Sequence, residues 1–227
     1  PELTVANLEY TQAPGTLGAS YIHVIDVADQ WATDFLKRRV GMNIYSLRGE
    51  GNAGIENATF AFEYAVQDSH GDQETGWYTE AGYRFSDVSW TPSVTARYTR
   101  YSRDWDLLFT GYSTGYGTWL QGEVAANYAG PFNRDTAIKH VGLKLNPLEE
   151  LTLGVLYYDF KTVGGRSQLN LDAHELDIYA EWAVSPHLII TPLVGLYRPD
   201  RAQGSGGNQS NGAGTNVYSQ LAVAVPF

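Results

Sequence analysis

Gly76-Trp77-Tyr78-Thr79-Glu80-Ala81-Gly82-Tyr83-Arg84-Phe85 divides cleanly by parity. The odd positions hold Trp77, Thr79, Ala81, Tyr83 and Phe85, and the even ones hold Tyr78, Glu80, Gly82 and Arg84. A sustained period of two is the mark of a β-strand with one apolar and one polar face. The alternation recurs on both sides. Phe60, Phe62, Tyr64 and Val66 oppose Thr59, Ala61, Glu63 and Ala65; Leu120, Val124, Ala126 and Tyr128 oppose Gln121, Glu123 and Asn127. Leu176, Ile178, Ala180 and Trp182 oppose Glu175, Asp177, Tyr179 and Glu181. Val217, Leu221, Val223, Val225 and Phe227 oppose Tyr218, Gln220, Ala222 and Ala224.

Over the whole chain this rhythm predicts about twelve strands. They fall near 2–12, 16–27, 39–50, 57–67, 77–86, 93–102, 118–128, 137–146, 151–160, 174–184, 188–198 and 217–227. Ala13-Pro14-Gly15, Asn146-Pro147 and Ser185-Pro186-His187 have tight-turn chemistry. Gln30 to Lys37 suits a helical turn in a connection, and Pro199 to Asn216, with Gly204-Ser205-Gly206-Gly207-Asn208, has the composition of a flexible loop. No linker divides the chain, so residues 1–227 are expected to form a single β-barrel domain. Pro1 opens straight into strand-like sequence without a secretory leader, so the chain reads as mature, trimmed or cut from something longer.

Composition narrows the class. The 227 residues carry a net charge of −10, 43% hydrophobic and 13% aromatic residues, and no cysteine. The apolar and aromatic content argues against disorder. The missing cysteines exclude disulfides, thiolate metal sites and a catalytic thiol. The acidic balance speaks against a nucleic-acid partner. No apolar run approaches the roughly 18 residues of a spanning helix, which leaves membrane strands open.

Amphipathic strands serve soluble sandwiches and membrane barrels alike. Soluble strands average about five or six residues and tilted membrane strands roughly nine to eleven, and the segments here match the longer class. Trp77, Tyr83, Phe85, Tyr98, Tyr128, Tyr157, Trp182 and Phe227 share the apolar parity and gather toward strand ends, as the girdles of an outer-membrane barrel do. The opposite parity carries mid-strand charges that a dry core would bear only at heavy cost. The expectation is an all-β transmembrane antiparallel barrel. The soluble alternative, with the aromatics in a core, stays open because periodicity does not tell inside from outside. The terminal Leu221-Ala222-Val223-Ala224-Val225-Pro226-Phe227, an amphipathic strand ending in phenylalanine, favours the barrel.

In that reading the polar parity lines the pore with Arg39, Glu63, Glu80, Arg84, Arg97, Glu123, Lys144, Glu175, Asp177 and Glu181. Selectivity then follows from rings of charge and constrictions. Glu80, Arg84 and Arg97 come from neighbouring strands and set a transverse field, and Glu123 with Lys144 does the same on the next pair. The count is acidic in excess, which opposes a polyanion unless the charges segregate. Tyr78, Trp119 and Tyr179 suit stacking on sugar rings or simple filling of the lumen. The connection from Arg103 to Thr118 is rich in glycine and aromatics and suits either an inward constriction or an ordered surface loop.

Gly76 to Phe85 resembles a segment of the alginate-export family of outer-membrane β-barrels. So do Gly115-Tyr116-Gly117-Thr118-Trp119-Leu120-Gln121-Gly122-Glu123-Val124, Asn127-Tyr128-Ala129-Gly130-Pro131-Phe132-Asn133, His140-Val141-Gly142-Leu143-Lys144 and Leu151-Thr152-Leu153-Gly154-Val155-Leu156-Tyr157-Tyr158-Asp159-Phe160. The likeness covers roughly the last two thirds of the chain. It implies a monomeric porin in the bacterial outer membrane, in contact with its lipid, passing an acidic polysaccharide or a related saccharide solute. Family members are generally longer, so the chain is either the C-terminal part of a larger barrel or a small closed one.

Enzyme chemistry finds little support. His23, His70, His140, His174 and His187 are scattered, and no zinc-protease, phosphate-cradling or nucleophile-elbow motif occurs. Glu175 and Asp177 share a face, yet nothing marks them as an acid–base pair rather than lining. His140 with Ser93 or Ser102 lacks a joining motif. No catalytic residue, metal site or cofactor is expected. A barrel enzyme and a structural or adhesive barrel without an open pore remain as alternatives.

Overall fold

The structure, a computed structural model, describes residues 2–27, 39–106, 124–125, 134–164, 170–207 and 212–226. Eleven strands form a single antiparallel sheet in chain order. They are β1 (Glu2–Gln12), β2 (Gly15–Asp26), β3 (Asn43–Gly51), β4 (Ala58–Ser69), β5 (Asp72–Arg84), β6 (Ser93–Tyr101), β7 (Thr136–Leu148), β8 (Leu151–Thr162), β9 (Ala173–Ser185), β10 (Leu188–Pro199) and β11 (Asn216–Ala224). β1 and β11 are the edges, and among the described residues no pairing joins them. No helix among the described residues is long and apolar enough to cross a membrane.

Eleven of the about twelve expected strands are present among the described residues, and the remaining one falls at one place. The strand expected at 118–128 falls mostly outside the described residues, but Val124 and Ala125 are helical and fully buried. Their alternation suited a strand because short apolar patterns do not separate strand from buried helix. The strand expected from Arg39 begins at Asn43, since Arg39 to Gly41 form a turn with Gly41 at φ 83°. Asn146-Pro147, expected as a turn, lies inside β7, where the register with β8 breaks between Leu145 and Leu148. A residue without an N–H fits such an irregularity. The helical turn expected at Gln30 to Lys37 lies outside the described residues, as do Tyr128 and Phe227. The expected loop after Pro199 is present and opens with a short 3-10 turn, Gln203–Ser205.

The two ends of the sheet differ. Connections 13–14, 52–57, 85–92, 149–150 and 186–187 lie at one end, and 27–42, 70–71, 102–135, 163–172 and 200–215 at the other. Only 70–71 is tight at the long-loop end. There His70 and Gly71 both take positive φ, 55° and 96°, the backbone a two-residue hairpin with right-handed twist requires. Short turns at one end and long loops at the other are the habit of outer-membrane barrels.

The faces are inverted relative to a soluble protein. On β9, Glu175 and Asp177 are 1% and 0% exposed, whereas Ile178 and Trp182 on the other face are 54% and 49% exposed. The same inversion holds along β4 to β8, where Phe60, Phe62, Tyr64, Tyr83, Val141 and Tyr157 stand exposed. One sheet buries its polar-bearing parity only by curling that face inward. The buried cluster therefore lies on the inner face, around Tyr101, Trp105, Ile138, Tyr158, Phe160, Tyr179 and Tyr197. Outward aromatics sit toward both ends, Tyr83 against Phe85 at the short-turn end (5.0 Å between centroids) and Trp77 against Tyr98 nearer the loops (5.3 Å).

Candidate functional site: the inner face

Antiparallel register stacks inward residues into transverse rows. One row runs Glu50, Ala61, Glu80, Arg97, His140, Tyr158, Glu175 and Tyr197 across β3 to β10. Arg97 is its centre. Its Nε donates to Glu80 Oε2 at 2.9 Å, and its guanidinium carbon lies 4.5 Å from the centroid of Tyr78. The arginine side chain is 1% exposed, so the pair is desolvated and geometrically fixed. Beside it, the His140 ring stacks on Tyr158 at 4.5 Å and 11°.

The row next toward the short turns runs Gly82, Thr95, Gly142, Leu156, Asp177 and Gly195, and the following one Arg84, Ser93, Lys144, Gly154 and Tyr179. Two glycines admit bulky neighbours. A Cβ at Gly154 would occupy the Tyr179 ring, and one at Gly195 would strike the Val124 and Asp177 side chains. Arg84 and Lys144 in the outer row stay exposed.

The β6–β7 connection enters this interior at two of its described stretches, 102–106 and 124–125. The Trp105 ring covers Gly76, where a Cβ would lie 2.9 Å from it, and is 4% exposed. Asp106 accepts two bonds from Arg39, Nε at 2.8 Å and Nη2 at 2.6 Å. The Gln67 amide brackets its backbone, donating to Asp106 O at 2.7 Å and accepting from Asp106 N at 2.9 Å. Further along, the backbone N–H groups of Val124 and Ala125 donate to the two Glu175 carboxylate oxygens at 2.8 and 2.7 Å. Free N–H groups of a helical turn attract a carboxylate in this way.

The expected lining residues therefore part into groups. Glu80, Arg97 and Glu175 share one row, with Asp177 beside it; Arg97, Glu175 and Asp177 are buried. Glu63 hydrogen-bonds Ser46 and lies opposite Arg48, on the less covered side of the inner face. Arg84, Lys144 and Glu181 are exposed toward the short-turn end. Arg39 is off the strands, holding Asp106, and Glu123 lies outside the described residues. Sequence reasoning left Arg48, His140 and Asp106 out of the lining. Parity with Ser46 and with Lys144 would have placed the first two inward; no periodic signal marks Asp106.

Polar hollows flank the buried middle. One of about 580 Å³ at the short-turn end is lined by Arg84, Ser93, Asn146 and Glu149. One of about 680 Å³ at the long-loop end is lined by Gln67, Glu74, Asp104, Asp106 and Arg134. Among the described residues no cluster of histidines and carboxylates could hold a metal ion.

No protein-family model matches the chain, and no characterised protein matches it in sequence. Solved structures with a similar chain path include the KdgM porin at TM-score 0.44 and 10% identity, covering 99% of this chain and 92% of that one. The KdgM porin in complex with disordered oligogalacturonate scores 0.44 at 11% identity, covering 99% and 92%. The NanC porin in a rhombohedral crystal form scores 0.41 at 14%, covering 99% and 93%. Likeness at that level carries nothing about function, which rests on this chain's own residues.

Proposed function

We propose that the chain forms the wall of a bacterial outer-membrane channel that passes a hydrophilic, saccharide-class solute. The observation that carries this reading is the inversion of the sheet. Large apolar side chains face outward and ionisable ones inward, which suits lipid outside and a polar passage within. The unequal loops support it, as do the polar hollows at both ends of the inner face. In this reading the wall is a monomeric barrel in contact with outer-membrane lipid, and it conducts rather than catalyses.

The finer reading is an acidic polysaccharide of the alginate-export type. It rests on the sequence resemblance and on Arg84 and Lys144, two exposed cations in one row at the short-turn mouth. The described lining residues that lie on strands keep a role in it. Arg84, Lys144 and Glu181 meet solute at the mouth, Glu63 on the open side of the wall, and Glu80, Arg97, Glu175 and Asp177 set the field of the narrow middle. A barrel without an open pore is the second reading, and the buried aromatic cluster on the inner face favours it.

Liposomes carrying the protein are expected to swell in neutral oligosaccharides, which a closed barrel does not permit. Neutralising the mouth with Arg84→Gln and Lys144→Gln is expected to move the anion-to-cation permeability ratio toward cations by about threefold to tenfold, most strongly at low salt. A ratio unchanged by the double variant would remove these two residues from the solute path.

A further inference from the structure

The outward face changes character sharply toward the long-loop end. Across β7 to β10, one outward row is Val141, Tyr157, Leu176 and Leu196, wholly suited to acyl chains. The next outward row is Lys139, Asp159, His174 and Arg198. Lys161 follows Asp159 on the same face, and Asp200 lies just past β10. Asp159 is the hub, 3.7 Å from both Lys139 Nζ and Lys161 Nζ and 3.4 Å from His174 Nδ1. Asp200 lies 3.3 Å from Lys161 Nζ and 3.8 Å from His174 Nε2.

These carboxylates gather cations without saturating them. Most of the separations exceed hydrogen-bond length, the Lys139 side chain remains 70% exposed, and Arg198 is exposed with no ion pair among the described residues. On a chain of net charge −10, Lys139, Lys161 and Arg198 outnumber Asp159 and Asp200 three to two and form a local basic belt. The belt is joined to the apolar band beneath it, because the His174 ring lies parallel to Tyr157 (14°) and the Tyr157 hydroxyl is 3.1 Å from His174 Nδ1.

A basic row flush above an exposed apolar band fits a ligand with an anionic head and apolar chains. We propose that this belt binds the phosphate-bearing headgroup of a lipid in the leaflet at the long-loop end. The proposal rests on the membrane-barrel reading. It concerns the outside of the wall, out of reach of a solute inside, and the side chains just below are those that acyl chains would cover.

Native mass spectrometry of the detergent-folded protein tests it, with a diphosphorylated diglucosamine lipid, the same lipid dephosphorylated, and inorganic phosphate as competitor. Heat-modifiable migration in cold detergent gels reports folding independently. The wild type is expected to retain one diphosphorylated lipid and to bind the dephosphorylated form at least about tenfold more weakly. The variant K139Q/K161Q/R198Q is expected to lose binding by about tenfold to a hundredfold while still folding, and R84Q/K144Q on the inner face is expected to leave it intact. Equal binding of the two lipids, undiminished binding by the folded triple variant, or displacement by millimolar phosphate would each overturn the proposal and leave the barrel reading standing. A wild type that shows no heat-modifiable fold and does not insert into vesicles would overturn both. If the triple variant does not fold, K139Q and R198Q singly take its place, each expected to weaken binding severalfold.

Discussion

Replacing Arg97 with methionine is expected to destabilise the folded protein by about 3–5 kcal/mol, read as a lowered urea midpoint in detergent micelles. The reason is local. The guanidinium of Arg97 has almost no contact with solvent, bonds Glu80 at 2.9 Å and stacks over Tyr78 at 4.5 Å. Removing it leaves the Glu80 carboxylate, only 12% exposed, without its counter-charge in a low-dielectric setting. Arg97→Met combined with Glu80→Gln is expected to recover much of the loss, since a neutral pair carries no uncompensated charge. If the single variant shifts stability by less than about 1 kcal/mol, Glu80 is in open water and the inner face is wetter than its burial indicates.

The second large effect concerns Glu175. Its two carboxylate oxygens take the backbone N–H groups of Val124 and Ala125 at 2.8 and 2.7 Å, in a site that is 1% exposed. Glu175→Ala strands both donors, at about 1–3 kcal/mol each, and removes the contact that seats this turn on the inner face. The expected readout is a single-channel conductance raised severalfold, with more frequent transitions between levels. Glu175→Gln keeps one acceptor oxygen and is expected to fall between wild type and Glu175→Ala. Conductance unchanged in both variants would mean that Val124 and Ala125 do not narrow the passage.

How much of this was legible in the sequence follows from what a period of two encodes. Alternation gives element type and facing, so β4, β5, β9 and β11 appeared with the observed parity, and Glu80, Arg97, Glu175 and Asp177 fell on one face. It does not give depth. Arg97 and Glu175 were expected in a water-filled lumen, and both are buried; at Glu175 the cover is Val124 and Ala125, a long-range contact without periodic trace. The alternation from Leu120 to Tyr128 likewise does not foretell that Val124 and Ala125 are helical, with Val124 against Gly195. Pro147 misled in the opposite sense, as a proline at a register break looks like a turn. Asp106 was invisible because its partners Arg39 and Gln67 come from elsewhere in the chain.

The Lys139–Asp159–His174–Arg198 row was equally hidden. Each member reads as an isolated outward polar residue, and only the register between β7 and β10 lines them up. Arg84 and Lys144 share that property on the inner face, joined through Ser93 of β6.

The claim that the inward, charged face encloses a passage is tested most directly by planar-bilayer recording of the purified wild-type chain. The inverted faces and the two polar hollows predict discrete conductance steps whose ion selectivity shifts when Arg84 and Lys144 are neutralised. A chain that folds and inserts into the bilayer yet shows no conductance steps would contradict the channel and leave a closed, structural barrel.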